Sequence, residues 1–101
     1  MEQVRLSDVS LDDVKVYIRA EDVTDEAGLK LIRDIMSSAK GYILSYTSLT
    51  EEKVDNLPEM VIAFKCLCSD MYDVRTASVS QAKENPIVRN ILNMHRNNLV
   101  V

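Results

Sequence analysis

The chain has 101 residues, of which 47% are hydrophobic and 28% are charged, and its formal net charge is −4. This length and composition predict one folded domain that buries roughly 60 to 70% of its unfolded surface but cannot enclose a substrate pocket. The acidic balance disfavours a DNA-gripping role, because sequence-independent DNA binding requires clustered Lys and Arg to neutralise phosphates.

No apolar run in the chain approaches the roughly 20 residues of a membrane span. The N-terminal sequence MEQVRLSD is polar and lacks the apolar core of a signal peptide. We therefore expect a protein that is intracellular when it is synthesised and that has no membrane segment.

The first predicted helix covers residues 11–18. Ser10 is a good N-cap for it, and two acids follow in the first turn, where the helix dipole favours negative charge. Helical spacing then defines a buried face of Leu11, Val14, Tyr17 and Ile18.

A long amphipathic helix is predicted over residues 25–46, with Thr24 as its N-cap. Its apolar residues recur at steps of three and four, so they share one face, and the opposite face is charged and polar. The face that we expect to be buried consists of Gly28, Ile32, Ile35, Met36, Ala39, Tyr42, Ile43 and Tyr46.

Two further helices complete the prediction. Thr50 caps a single turn, and Pro58 opens the most apolar helix, 58–76, which should be central and should bury Leu67. After a polar loop at residues 77–84, Asn85 and Pro86 open a last helix, 86–96. Its apolar positions are Ile87, Val88, Ile91, Leu92 and Met94, and within one subunit it can bury Ile87, Ile91 and Leu92 on the long helices.

The fold prediction is therefore all-α, a small bundle of about four helices with two long antiparallel helices and a short C-terminal helix. We assign residues 1–101 to a single domain, with an N-terminal arm at 1–9 and a C-terminal tail at 97–101.

No constellation of residues indicates catalysis, a cofactor or a metal, so we expect none of the three. Cys66 and Cys68 point about 200° apart on a helix and cannot chelate one ion, which favours buried reduced thiols. His95, the sole histidine, has no catalytic partner at a recognisable spacing and suits a helix C-terminus or the surface. The acidic residues between 8 and 26 lack the EF-hand pattern, and we interpret them as helix caps and solvated surface.

Two features leave a choice between a structural role and an interface. The four tyrosines either pack in the core or form subunit contacts, where Tyr is favoured. The tail, with three apolar residues that a four-helix core does not need, is either disordered or docked onto a partner. The residues that we expect at an interface with another protein chain are Tyr17, Arg19, Tyr46, Met94, Arg96, Leu99, Val100 and Val101.

Three segments of the chain carry a family resemblance: LDDVKVYIRAEDVTDEAGLKLIRDIMSSAKGYILSYT, LPEMVIAFKCLCSDMYDVRTAS and NPIVRNILNMHR. Taken together, they resemble the head–tail connector (adaptor, head-completion) family of tailed double-stranded DNA bacteriophages and prophages. The order and spacing of the motifs carry the likeness. Its positions are Leu11, Val14, Lys15, Tyr17, Ile18 and Arg19, then Tyr42, Ile43, Tyr46 and Thr47, then Leu57, Pro58 and Val61, then Ile91, Leu92 and Arg96.

The resemblance implies a structural virion protein at the head–tail interface, assembled in the host cytoplasm. It implies a homo-oligomeric ring, commonly dodecameric, that binds the portal protein and a stopper or tail-completion protein while DNA passes through the channel without specific binding. The family often has a longer, Gly- or Pro-containing stretch before its last helix, where this chain has ASVSQAKEN. The alternative is a small helical prophage-encoded regulatory or protein-binding module without catalytic activity.

Overall fold

The computed structural model describes residues 5–76 and 86–95, and every regular element in that part of the chain is helical. After a 3-10 turn at Leu6–Asp8, the helices are α1 Leu11–Tyr17, α2 Glu26–Thr47, α3 Glu51–Asp55, α4 Glu59–Thr76 and α5 Pro86–His95. The prediction of an all-α bundle with two long antiparallel helices and a short last helix is confirmed.

Polar side chains start the helices. The Ser10 hydroxyl accepts a hydrogen bond from the Asp13 amide at 3.1 Å, and the Asp13 carboxylate accepts one from the Ser10 amide at 3.0 Å. This reciprocal capping box confirms Ser10 as the N-cap of α1. The backbone hydrogen bond from Ser10 also lowers the pKa of the Asp13 carboxyl. Thr50 caps α3 as predicted, through the Lys53 amide at 3.2 Å.

The predicted N-cap of α2 was wrong by one residue. Asp25, not Thr24, accepts a hydrogen bond from the Gly28 amide, at 3.0 Å, so α2 begins at Glu26. Both residue types cap helices well, and sequence alone does not decide between two adjacent good caps. The predicted Asn85 cap lies outside the described residues.

Helix α4 is the centre of the bundle, as predicted. It packs against the 3-10 turn and against α1, α2 and α5, and its Met60, Ala63 and Cys68 side chains have no exposed surface. Leu67 is only half-buried, at the edge of this core, so it is a less central residue than the sequence indicated. The core extends to Val14 on α1, and burial of these apolar groups stabilises the fold.

The predicted stripe on α2 is confirmed at its centre and corrected at its edge. Ile32, Ile35, Ala39 and Ile43 are buried, whereas Tyr42 is exposed because it lies on the flank of the stripe. Thr47 extends the buried face by one turn. Its hydroxyl donates to the Ile43 carbonyl at 2.7 Å, so this buried polar group has a hydrogen-bond partner within its own helix.

The segment predicted as an N-terminal arm packs onto the core in its described part. Leu6 and Val9 are buried, and Ser7 holds the segment to α3. The Ser7 amide and hydroxyl both donate to the Asp55 carboxylate, at 3.1 and 2.9 Å. The hydrogen bond from the Ser7 hydroxyl is the main reason that the pKa of Asp55 is lowered.

We expect the Ser7–Asp55 contact to stabilise the fold at neutral pH and to stop doing so in acid. A carboxyl with a lowered folded-state pKa contributes stability above its unfolded value, here 3.8, and loses it as pH falls through the lower folded value. Denaturant melts of the native chain and of Ser7→Ala at pH 7 and near pH 2 measure this. The native chain should have a larger free energy of unfolding than Ser7→Ala at pH 7 but not near pH 2. The same difference between the two proteins at both pH values would contradict the prediction.

The two glycines of α2 should respond to alanine with opposite signs. A Cβ on Gly41 meets no atom within 4 Å, so Gly41→Ala should raise the free energy of unfolding by about 0.5–1 kcal/mol. A Cβ on Gly28 would lie 2.5 Å from Val23 Cγ1, 2.9 Å from Asp25 Oδ1 and 3.4 Å from Asp25 Oδ2, the oxygen that caps the helix. Gly28→Ala should therefore be destabilising, because the stiff Val23 side chain and the cap must both shift. Thermal melts of the pair check this, and equal effects of the two substitutions would count against it.

Candidate functional site

The predicted interface residues divide into three places. Tyr17 and Arg19 lie at the end of α1, Tyr46 lies near the end of α2, and Met94 lies near the end of α5. The other predicted interface residues lie outside the described residues: Arg96, Leu99, Val100 and Val101. The described interface residues therefore lie towards the ends of three different helices, and the Tyr46 hydroxyl reaches Asn93, the neighbour of Met94.

The first surface is the α1 patch, which we define as Val16, Tyr17, Arg19 and Ile62. Val16 is exposed on α1, and Ile62, which is 54% exposed, stands one helical turn before Cys66 on α4. Tyr17, which is 45% exposed, joins the two helices, because its hydroxyl lies 3.3 Å from Cys66 Sγ. Large apolar side chains that remain open to solvent are typical of binding surfaces when they cluster.

The Tyr17–Cys66 contact fixes a half-exposed aromatic ring. The pKa of Tyr17 is raised to about 12, mainly by hydrogen bonding to Cys66 and to a lesser extent by burial. The phenol is therefore neutral at physiological pH. A ring whose hydroxyl is anchored and whose edge is exposed loses little conformational entropy when a partner binds. Both cysteines are buried and form no disulfide, as predicted, and burial raises the pKa of the Cys68 thiol to about 12, which keeps it protonated.

Arg19 occupies a backbone position that favours glycine. The Ala20 amide donates to the Lys15 carbonyl at 2.8 Å and the Arg19 amide donates to the Val16 carbonyl at 3.2 Å, which together form a Schellman motif that ends α1. Arg19 stands at the left-handed residue of this motif, with φ 60°. A non-glycine residue there costs of order 1 kcal/mol.

We expect Arg19→Gly to raise the free energy of unfolding by about 1 kcal/mol, because glycine adopts this conformation without a Cβ penalty. If Arg19 contacts a partner, the same variant should bind that partner less well although it is more stable. Denaturant melts measure the first effect, with Arg19→Ala as the control that keeps the Cβ and removes the charge. Arg19→Gly would contradict the prediction if it were no more stable than Arg19→Ala.

The second surface is the α5 patch, formed by Ile87 and Met94. The predicted burial of Ile87 was wrong: Ile87 is 56% exposed and Met94 is 73% exposed. Val88 and Leu92, four residues apart, set the direction that faces the core. Ile87 and Met94, seven residues apart, then share the opposite side, because seven residues are close to two helical turns.

His95, at the end of α5, lies against Glu59 of α4. Its Nε2 lies 3.1 Å from Glu59 Oε1 in the first turn of α4, so the histidine has a carboxylate neighbour that the sequence did not indicate. The contact is close but poorly aligned, and this buried nitrogen has no hydrogen bond of good geometry in the described part of the chain. The contact becomes an ion pair when His95 is protonated.

The third surface is the α2 groove, an open trough of about 500 Å³. The Tyr42 and Tyr46 rings stack along it with centroids 5.8 Å apart and planes 19° apart. The Tyr46 hydroxyl donates to Asn93 Oδ1 of α5. The groove is lined by Ser38, Gly41, Tyr42, Ser45, Tyr46 and Met71.

Sequence reasoning missed the α2 groove, although part of its signal was present. Ser38, Gly41 and Ser45 follow one another at helical spacing beside the tyrosines. Small side chains in such a row leave a shallow depression on the helix surface. Met71 comes from α4, and only the packing of α4 against α2 places it there.

These surfaces can bind other molecules by apolar and aromatic contact. Within residues 5–76 and 86–95, no cluster of three or more His, Cys, Asp or Glu side chains could hold a metal ion. In the same part of the chain, no helix has the length and apolar character needed to cross a membrane.

No protein-family model matches the chain, and no similar curated protein or solved structure was found.

Proposed function

We propose that the protein is a structural virion protein, a connector subunit that forms a ring below the phage portal and joins the head to the tail. The observation that carries this proposal is the pair of apolar surfaces on different helices, the α1 patch and the α5 patch. Ile62 and Met94 are 54% and 73% exposed although the core has closed without them. The likeness of the helical segments to the connector family supports the same role.

A ring requires two different surfaces on each subunit. Head-to-tail contact pairs one patch of a subunit with the other patch of its neighbour, and the rotation between neighbours closes the ring. The α1 patch includes the anchored ring of Tyr17, and the α5 patch consists of the exposed apolar side chains of Ile87 and Met94. Tyr and Met are both enriched at protein interfaces.

The charge of the chain is compatible with a channel that DNA slides through. With a formal net charge of −4, the subunit has no excess of cations to grip phosphates. We therefore propose that its specific partners are proteins: neighbouring copies, the portal protein, and a stopper or tail-completion protein. We propose no catalytic activity and no cofactor, and a virion location at the head–tail interface.

A small helical prophage-encoded regulatory or protein-binding module is the second candidate. The α2 groove favours it, because the stacked Tyr42 and Tyr46 rings form a surface that a short segment of another protein could occupy. Such a module would bind its partner as a monomer or dimer and would have no need to form rings.

Negative-stain microscopy and native mass spectrometry of the pure protein, across a range of concentrations, separate the two candidates. The connector proposal expects ring-shaped particles of one defined subunit number at high concentration or with purified portal. A protein that stays monomeric or dimeric in both conditions contradicts the connector proposal and favours the second candidate.

A further inference from the structure

The Tyr17–Cys66 contact joins an exposed aromatic ring to a buried thiol. Tyr17, the last residue of α1, keeps 45% of its surface exposed, whereas Cys66 on α4 is only 8% exposed. The phenol oxygen lies 3.3 Å from Cys66 Sγ. Another molecule can therefore reach the ring but not the thiol that contacts it.

This contact limits the directions in which the Tyr17 ring can point. A tyrosine on a helix surface has several staggered rotamers available, and a hydrogen bond at the far end of the side chain selects one of them. The ring is then ordered when the chain folds, so its ordering adds no entropic cost when a partner binds. A thiol is a weak hydrogen-bonding group, and the gain in affinity should therefore be modest.

The α5 patch of a neighbouring copy is a surface that fits this ring. Met94 is 73% exposed, and a thioether packs favourably against the edge of an aromatic ring. The carboxylate of Asp70 lies close enough to act electrostatically on the Tyr17 phenol, whereas α5 carries Arg89 and no acidic residue. Opposite charges beside the two apolar patches favour the pairing of one patch with the other.

We propose that Cys66 is a positioning residue of the subunit contact: its thiol holds the Tyr17 ring in the orientation that Met94 of a neighbouring copy meets. Cys66 does not touch the neighbour and acts only through the ring. This inference rests on the proposed function, because it names the anchor of the α1 patch in the head-to-tail contact and the residue that orders it. Aromatic side chains that are fixed before binding are typical of the residues that dominate the affinity of an interface.

The protein concentration at which half of the subunits are assembled, measured by native mass spectrometry, tests the proposal. Tyr17→Phe keeps the ring and removes its hydroxyl, and Cys66→Ala removes the thiol. Cys66→Ser keeps a group that can bond to the phenol. Cys68→Ala is the matched control, because it removes a buried thiol from the same helix that points about 200° away from Cys66.

We expect Tyr17→Phe and Cys66→Ala each to raise the half-assembly concentration about threefold to tenfold. The double variant should have no larger effect than either single one, because both substitutions remove the same hydrogen bond. Cys66→Ser should restore most of the loss, and Cys68→Ala should lower the melting temperature while it assembles at the native concentration. Assembly of Tyr17→Phe at the native concentration would overturn the proposal, and so would additive effects of the two substitutions.

Tyr17→Ala separates this inference from the connector proposal. It removes the ring itself and should raise the half-assembly concentration at least about thirtyfold if Tyr17 anchors the contact. A native chain that forms no rings would contradict the connector proposal and this inference with it. Rings that form from the native chain, from Tyr17→Phe and from Tyr17→Ala at the same concentration would overturn this inference alone.

Discussion

Met60→Asp should prevent the chain from folding. Met60 has no exposed surface and lies in α4, which packs against every other long helix of the described chain. An unpaired charge buried there costs about 3–5 kcal/mol, and the lost methionine packing adds about 2–5 kcal/mol. Their sum is comparable with the total stability of a domain of this size, about 5–15 kcal/mol.

Ile62→Asp is the matched control for Met60→Asp. It places the same charge on the same helix two residues away, at a side chain that is 54% exposed, and should cost little stability. Leu67→Asp should fall between the two, because Leu67 is half-buried. Circular dichroism and thermal melts of the three variants give the order, and a cooperatively melting Met60→Asp would contradict the assignment of the core.

The helices were predictable because local signals specify them. Ser10 and Thr50 cap their helices through their own side chains, and the buried series on α2 follows the 3.6-residue period. The error at Thr24 arose where two good capping residues are adjacent, since only the packed geometry selects Asp25. The central position of α4 was predicted from its apolar run Met60 to Cys68, which Lys65 alone interrupts.

The surfaces were less predictable because they depend on which side of a helix the bundle covers. Ile87 and Val88 are adjacent apolar residues on α5, and the packing of α5 on α4 and α2 decides that only Val88 is buried. The Tyr17–Cys66 and His95–Glu59 contacts join residues far apart in sequence. No spacing rule links such residues, so only the fold places them together.

The α5 patch should decide whether subunits associate. We expect the double variant Ile87→Asp/Met94→Asp to fold like the native chain, since both side chains are mainly exposed, and to form no rings. Two charges placed in an apolar contact leave each subunit interface with unpaired, desolvated carboxylates, at a cost of several kcal/mol. Because a ring repeats the same contact between all neighbours, loss of that contact removes the whole assembly.

Asn90→Asp is the control for the α5 patch, because Asn90 is an exposed residue on the same side of α5 and the change adds one charge without removing apolar surface. It should retain rings, or need only modestly more protein to form them. Negative-stain microscopy with native mass spectrometry measures assembly, and thermal melts confirm that each variant is folded. If the double variant forms rings at the same concentration as the native chain, the α5 patch is not a subunit contact, and the second surface of the ring must lie elsewhere on the subunit.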